Sequence, residues 1–434
     1  MLDSFEKQNN KEMNKKISVL NNEQKKAFKL MVENKNVFIT GAGGCGKTFL
    51  IKLFTQLYNK SRVIAVTSTT GTSALLINGT TIHSYLGIGY GHDSVERLVE
   101  KINNSSWLKN KWKKLDCLII DEISMLSPDI FDKLEEVAKI VRKSTQDFGG
   151  IQLILSGDFL QLPVVNIDKF CFEAKSWNKC IANTVYLKTI IRQNDEIFQN
   201  VLNNIRIGII NKDIIKILKK RLKKKLDNEF NIQPTKLFSK NVDVNRINDI
   251  ELDKLAENNV EFLEYNMDIY VYGGVSDRNS AIKKFKKFCT SPDTIQLCIG
   301  AQVMLLKNLD LSIGLANGSR GVITDFIDNL PLVKFLNGEE RVINMHTWDI
   351  EDNNKPILRA RQLPLKVAYA ISIHSCQGCT LDLMEVDLSD IFEYGQAYVA
   401  LSRVKSLEGL SISSINFDTM CAHPKALEYY KNLS

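Results

Sequence analysis

The residues Gly41-Ala42-Gly43-Gly44-Cys45-Gly46-Lys47-Thr48 spell G-x-x-x-x-G-K-T. In such a loop, glycine backbone N–H groups curl around phosphate oxygens, and the dipole of the following helix favours the negative charge. Lys47 is placed to reach the β- and γ-phosphates, and the Thr48 hydroxyl to bind Mg²⁺. The loop therefore announces a bound nucleoside triphosphate. It does not say what the energy is used for.

Further groups complete this chemistry. Asp116-Cys117-Leu118-Ile119-Ile120-Asp121-Glu122 is an apolar run that ends in two carboxylates. In P-loop motors the first such carboxylate serves the Mg²⁺ shell and the second orients or deprotonates the attacking water, which assigns Asp121 and Glu122. Ser156-Gly157-Asp158-Phe159-Leu160-Gln161-Leu162-Pro163 follows the next apolar run. Its Gln161 offers a neutral amide that can tell ATP from ADP. Arg192, in Lys188-Thr189-Ile190-Ile191-Arg192-Gln193, and Arg403, in Gln396-Ala397-Tyr398-Val399-Ala400-Leu401-Ser402-Arg403, read as guanidinium groups brought from a facing domain to the transferring phosphoryl group. Gln24, in Asn21-Asn22-Glu23-Gln24, carries the donor and acceptor pair that an adenine edge requires. Composition alone leaves that role open beside a plain polar one.

These groups need a scaffold of strands and helices. Asn36-Val37-Phe38-Ile39-Thr40 reads as a buried strand, and Leu50, Leu53, Phe54 and Leu57 repeat at helical spacing behind the loop. Val63–Val66, Cys117–Ile120 and Ile151–Leu155 are further apolar runs between helical patterns, the signature of a parallel sheet covered on both faces. Ser127 is suited to cap a helix that begins at Pro128 and turns Ile130, Phe131, Leu134, Val137, Ala138 and Val141 inward. The expected organisation is a flexible segment 1–19, then a first α/β unit over 20–190 with a polar, irregular insertion at about 87–113. From Ile191 the pattern restarts. A second α/β unit over 191–257 and 363–434, with strands at Thr235–Phe238 and Val367–Ile373, encloses a β-rich insertion over 258–362. The ligand is expected at the carboxyl ends of the strands.

The bulk numbers agree with a soluble enzyme. The chain has 434 residues, 44% hydrophobic and 25% charged, which suits about two to four domains. No apolar run is long enough to span a membrane, and the first residues form neither a secretory nor an organelle leader. A soluble intracellular protein is expected, with cytoplasm and nucleus not distinguished. The nine cysteines are odd in number and scattered, as in a protein with reduced thiols. Cys376 and Cys379 form a C-x-x-C with no second pair, so no zinc site is expected. The net charge of +7 is a weak pull toward a polyanion. The basic run Lys216–Lys225, interleaved with Ile214, Ile217, Leu218, Leu222 and Leu226, reads as an amphipathic helix whose charged side is either simply solvated or tracks phosphates.

Taken in order, these motifs resemble the Pif (petite integration frequency) family of DNA helicases, in superfamily one, from about Leu20 to the C-terminal region. The most specific stretch runs through Asp121-Glu122-Ile123-Ser124-Met125, Phe131-Asp132-Lys133-Leu134-Glu135, Phe148-Gly149-Gly150-Ile151-Gln152-Leu153 and Gly157-Asp158-Phe159. Gly300–Met304 with Asn317–Gly321 is similar to the family's β-rich, SH3-like insertion, and His374–Thr380 with Gly395–Arg403 to its fifth and sixth motifs. The resemblance implies two RecA-like motor domains with ATP and Mg²⁺ in the cleft between them. It further implies 5′-to-3′ movement on single-stranded DNA, and unwinding of tailed or forked duplexes and of G-quadruplexes by an enzyme acting as a monomer in replication, repair or recombination. By the family pattern Gln24 meets adenine, the loop Gly41, Ala42, Gly43, Gly44, Cys45, Gly46, Lys47 and Thr48 holds the phosphates, and Gly378 lies on the ATP side of the fifth motif. Gln161, Arg192 and Arg403 sense the γ-phosphate, while Thr69, Gly71, Thr81, His83, His374 and Gln377 touch DNA or couple it to ATP. Two positions depart from the pattern. Ser375 stands where the family usually has Lys, which removes a charge, and Pro163-Val164 replaces two prolines. Two other functions remain to be weighed: a DNA-stimulated translocase that separates strands poorly, and a nucleotide-gated DNA-binding scaffold. Lys47, Asp121, Glu122, Arg192 and Arg403 together argue against the scaffold.

Overall fold

The protein is described by a computed structural model covering residues 17–433, except positions 90, 92, 165–166, 194, 227–231, 259, 274–276, 290, 308, 311–312, 314, 316 and 353–354. The expected flexible segment 1–19 lies, as far as residue 16, outside the described residues. The chain divides into two compact units: Met1–Gln193 with Ala422–Ser434, and Asn194–Cys421.

The first unit is built on six parallel strands, β1 (Val37–Gly41), β2 (Ile64–Ser68), β3 (Thr80–Thr81), β4 (Cys117–Asp121), β5 (Gln152–Gly157) and β6 (Asn183–Leu187), in the order β3-β2-β4-β5-β1-β6. Strands β1, β4 and β5 are buried along their whole length. Alternate residues feed two apolar layers, because successive side chains point to opposite faces. Phe38, Leu118, Ile120, Leu153 and Leu155 join Phe131, Leu134 and Trp112 on one face. Val37, Ile39, Ile119 and Ile154 join Phe28, Met31, Leu50 and Phe54 on the other.

The expected helix is Pro128–Arg142. The Ser127 hydroxyl accepts the Ile130 N–H at 3.3 Å, Pro128 opens the first turn, and Phe131, Leu134, Val137, Ala138 and Val141 are buried. Ser127→Ala should therefore destabilise this unit by about 1 kcal/mol. The expected readout is a lower urea midpoint for its unfolding, and an unchanged midpoint would deny the cap its contribution.

The stretch 87–113 is not irregular. It holds the helices Val95–Asn104 and Ser106–Lys114, capped by Ser94 and Ser105. Leu98 with Ile102, and Leu108 with Trp112, reach the core at helical spacing. Four apolar anchors among many polar residues are enough to seat two short helices, which is why the pattern is hard to see in the sequence.

The second unit carries a four-stranded parallel sheet and three antiparallel ones. In chain order the strands are β7 (Thr235–Phe238), β8 (Leu263–Asn266), β9 (Asp268–Val271), β10 (Thr294–Leu297), β11 (Gln302–Leu305), β12 (Arg320–Ile327) and β13 (Leu330–Phe335). They continue with β14 (Glu340–Val342), β15 (His346–Asp352), β16 (Lys355–Gln362), β17 (Leu365–Val367), β18 (Ala370–Ser372), β19 (Met384–Leu388) and β20 (Leu410–Ile415). The parallel sheet has the order β18-β7-β19-β20. The insertion contributes β14-β13-β12-β11-β17, β15-β16-β9 and β10-β8, around its own core of Ile295, Leu297, Val303, Leu305, Ile323, Val333 and Phe335.

Four expectations change here. The run Val367–Ile373 is not one strand. Leu365–Val367 pairs antiparallel with β11, and Ala370–Ser372 pairs parallel with β7. Between them the Ala368 N–H is drawn to the Gln302 carbonyl and the Tyr369 hydroxyl to the Gly300 carbonyl, so β-rich structure extends past residue 362. The basic helix runs only from Lys212 to Lys219. Lys223 takes a left-handed φ of 50° and donates its N–H to the Ile412 carbonyl, while Arg221 bonds the Leu410 and Glu408 carbonyls. The first unit extends to Gln193, which brings Arg192 into it. Finally, residues 422–434 belong to the first unit rather than the second. There the helix Pro424–Lys431 stacks Tyr429 on Phe172, with ring centroids 4.2 Å apart. Among the described residues no helix is long and apolar enough to cross a membrane.

Candidate functional site

In the first unit the motifs converge at the carboxyl ends of β1, β4, β5 and β2. The loop after β1 is possible only with glycine at three places. Gly41, Gly44 and Gly46 have φ of 147°, 85° and 92°. A Cβ on them would lie 2.3 Å from the Leu187 carbonyl oxygen, 2.6 Å from the Arg192 Cβ and 2.5 Å from the Gln24 Nε2. The helix Lys47–Tyr58 starts from this turn. Lys47 Nζ donates to the Gly41 carbonyl at 2.6 Å and the Ala42 carbonyl at 3.0 Å, so the ammonium is held across the loop.

Two flanking residues are tied to the loop. Gln24 is buried and sits in a reciprocal capping box: its N–H donates to Asn21 Oδ1 at 2.9 Å, and its Oε1 accepts the Asn21 N–H at 3.2 Å. Its Nε2 donates to the Cys45 carbonyl at 3.2 Å. One N–H and one lone pair of the amide remain for a further partner. The Ile191 and Arg192 N–H groups both donate to the Gly44 carbonyl, at 2.9 and 3.2 Å. Arg192 is thus fixed against the loop from within the same unit and does not come from a facing domain.

Asp121 ends β4, is 4% exposed, and accepts the Glu122 N–H at 3.0 Å. Burial pushes its carboxyl upward from the usual range. The Ser156 and Thr48 hydroxyls, the Glu122 N–H and the Lys47 ammonium around it oppose that shift. Glu122 takes a left-handed φ of 52°, a conformation that non-glycine residues adopt at some cost and that clusters at functional sites. Its carbonyl accepts the Thr69 hydroxyl at 3.0 Å, and the neighbouring Asp121 carbonyl accepts the Ser68 hydroxyl at 3.0 Å. Ser68 also bonds Ser73 at 2.6 Å, on the helix Gly71–Leu76. Ser68 and Thr69 therefore tie the segment leading into the Thr69-Thr70-Gly71 motif to the backbone of Asp121 and Glu122. Gln161 is buried, in a turn where its N–H donates to the Asp158 carbonyl at 3.0 Å.

Thr81 is buried and caps the helix Ile82–Leu86, accepting the Ser84 N–H at 3.3 Å. The structure gives it this capping role, with His83 on the same short helix. In the second unit, His374 is half-buried and packs against Phe392. Burial holds its imidazole below the ordinary range, against the pull of Glu393. Gln377 Nε2 is buried with no hydrogen-bond partner among the described residues, and Gly378 turns with φ 82°. Ser375 bonds Ser372 at 2.8 Å. Arg403 is buried, with Nε on the Val399 carbonyl at 2.9 Å and Nη2 on Ser402 Oγ at 2.7 Å.

The loop and the carboxylates fit Mg²⁺-nucleotide. The cradle has the space that a Cβ would fill, Lys47 supplies the cation, and the Thr48 hydroxyl with the Asp121 carboxylate makes a hard oxygen donor set. Ser68, Ser73, Thr40 and Tyr430 were not evident as site residues from the sequence. Ser68 was within reach, because it ends a neighbouring apolar run and stands in register with Asp121.

The chain is similar to several known proteins. The family model described as PIF1-like helicase matches residues 19–215, and that of the 2B domain of DNA helicase Pif1 matches 285–326. Uncharacterized protein 030L of Invertebrate iridescent virus 6 is 41% identical over 97% of this chain and 96% of its own length. ATP-dependent DNA helicase PIF1 of Xenopus laevis is 40% identical over 95% of this chain, and the chain spans 64% of that relative's length. The crystal structure of Pif1 helicase from Candida albicans superposes with a TM-score of 0.80 at 34% identity, covering 96% of this chain and all of that one. Pif1 helicase from Bacteroides, in complex with ADP-AlF3 and single-stranded DNA, gives 0.67 at 32% identity, covering 96% of this chain and 97% of that one.

Proposed function

This chain belongs to the PIF1-like helicase family, and on that premise we propose that it is an ATP-dependent DNA helicase that moves 5′ to 3′ on single-stranded DNA and opens tailed or forked duplexes. The observation that carries the reading is the bond from the Thr69 hydroxyl to the Glu122 carbonyl. It ties a motif suited to DNA contact to the backbone of the residue whose carboxylate is suited to activate water.

Bound ATP with Mg²⁺ supplies the phosphoryl group whose transfer to water drives the cycle. The residues around it divide the work. The glycine loop and Lys47 bind phosphate, while Thr48 and Asp121 are the metal-facing oxygens. Glu122 takes the proton of the attacking water, Gln161 and Arg192 read the γ-phosphate from the turn and the loop, and Arg403 is assigned to the same phosphate by the family pattern. Thr69, Gly71, His374 and Gln377 are the residues assigned to the DNA strand. Thr81 supports this surface as a cap, and His83 faces DNA beside it. Contacts of this kind are to backbone and stacked bases rather than base edges, so binding should be sequence-tolerant and fall steeply with salt. The partner is single-stranded DNA, engaged by one copy of the chain at a time.

Matched duplexes with a 5′ or a 3′ single-stranded tail test this reading directly. With ATP and Mg²⁺ the 5′-tailed substrate should be unwound and the 3′-tailed one left intact, and single-stranded DNA should stimulate ATP turnover at least tenfold. Turnover indifferent to DNA would remove the helicase reading, and stimulated turnover without strand separation would favour a translocase.

A further inference from the structure

The helix Pro424–Lys431 brings one hydroxyl to the carboxyl ends of two adjacent strands. Tyr430 lies where β1 gives way to the phosphate loop and β5 to the turn that holds Gln161. The Phe159 N–H donates to the Tyr430 oxygen at 3.1 Å, and the Tyr430 hydroxyl donates to Asp158 Oδ1 at 3.1 Å. The Thr40 hydroxyl shares a short hydrogen bond with the same oxygen. Thr40 is buried, immediately before Gly41, and stands in register with Gly157 of β5. Asp158 Oδ1 also accepts the Leu160 N–H at 3.1 Å, and the Asp158 carbonyl accepts the Gln161 N–H at 3.0 Å. One phenol thus joins the strand that leads into the Lys47 loop with the turn that sets Gln161.

The helix is held there by more than this oxygen. Tyr429 stacks on Phe172 and meets Phe159 edge-on, with centroids 5.5 Å apart. His423 and Lys425 bond Asp168. The ring of Tyr430 packs near Tyr186 and Tyr429. Removing only the hydroxyl therefore leaves the docking of the helix in place and cuts the link between loop and turn.

We infer that Tyr430 is a positioning residue for ATP turnover, one that fixes the Gln161 turn relative to the phosphate loop through Asp158 and Thr40. The inference rests on the ATPase reading above. It concerns turnover more than nucleotide capture, because the Tyr430 hydroxyl is bonded to Thr40, ahead of the cradle, and to Phe159 and Asp158 in the turn that carries Gln161. Misplacement of a group near the reacting atoms by a fraction of an ångström acts on the rate more than on ground-state affinity.

The test compares the parent chain with Tyr430→Phe and, from the other side of the same bond, Thr40→Val. DNA-stimulated turnover is measured per nucleotide site, with sites counted by titration with a fluorescent ADP. The expected result is a kcat about tenfold lower in both variants, with the number of sites, the ADP affinity and the KM for ATP within about twofold of the parent. If turnover per site stays within twofold of the parent, Tyr430 does not position the site. If sites are lost in step with turnover, its role is structural only, and the inference also fails. A parent chain with no DNA-stimulated turnover would instead sink the helicase reading, so the two failures are distinct.

Discussion

Lys47→Ala is expected to cut DNA-stimulated ATP turnover by about 10²- to 10³-fold or more, the range seen when one preorganised charge-stabilising donor is removed. Two effects act together. The loop loses the cation that its geometry presents: Lys47 Nζ is anchored on the Gly41 and Ala42 carbonyls, so the charge sits at the mouth of the cradle and needs little reorganisation to meet phosphate. Asp121 loses a neighbour as well. Burial already pushes its carboxyl upward, and the Lys47 ammonium is among the groups that oppose the shift. Removing Lys47 takes away one of the groups that hold the carboxyl down, which weakens Asp121 in the metal-binding role proposed for it. Binding of single-stranded DNA should survive, because the groups assigned to it sit on other elements. Phosphate release and oligonucleotide binding, measured on one preparation, separate the two functions. A variant that keeps more than a tenth of the parent rate would overturn the phosphate-loop assignment.

The contrast between Lys47 and Tyr430 shows which parts of this site the sequence displays. The phosphate loop, the carboxylate pair and the Ser127-capped helix are local signals. In each, the chemistry and the backbone that positions it lie within a few neighbouring residues, so a short window contains both cause and effect. Apolar runs such as Cys117–Ile120 declared a parallel sheet for the same reason, since a strand covered on both faces has no polar side to hide.

The remaining features depend on register between distant segments. Ser68 joins the site because β2 lies beside β4 with Ser68 opposite Asp121. Tyr430 joins it because the last helix docks on the first unit, and no spacing in the chain announces that return. Arg192 looked like a residue of a second domain, because the α/β pattern restarts at Ile191. Its N–H bond to the Gly44 carbonyl shows that the segment is still part of the loop's own framework. The split of Val367–Ile373 into two strands has the same origin: seven apolar or small residues are compatible with one strand, and only their partners β11 and β7 divide them.

Glu122→Gln should leave nucleotide binding intact and lower hydrolysis by about 10²- to 10⁴-fold, the usual contribution of a positioned general base. The substitution suits the question because it is nearly isosteric and spares the backbone. Glu122 reaches its place through a left-handed φ of 52°, held by its N–H on Asp121 Oδ1 and by its carbonyl on the Thr69 hydroxyl. Neither bond involves the Glu122 carboxylate, so the amide variant keeps the turn and the link to Thr69. What it loses is the ability to accept a proton. The expected signature is a complex that forms with ATP at parental affinity, retains it unhydrolysed through a single turnover, and still changes its affinity for single-stranded DNA on binding ATP. Thr69→Val provides the opposite case. It leaves the base but removes the hydroxyl from the Glu122 carbonyl, so basal hydrolysis should persist while stimulation by DNA falls. Rapid-quench measurement of ATP cleavage, with and without DNA, resolves both. Parental cleavage by the Gln variant would move water activation to another residue, and full DNA stimulation in the Val variant would break the proposed route between strand and carboxylate.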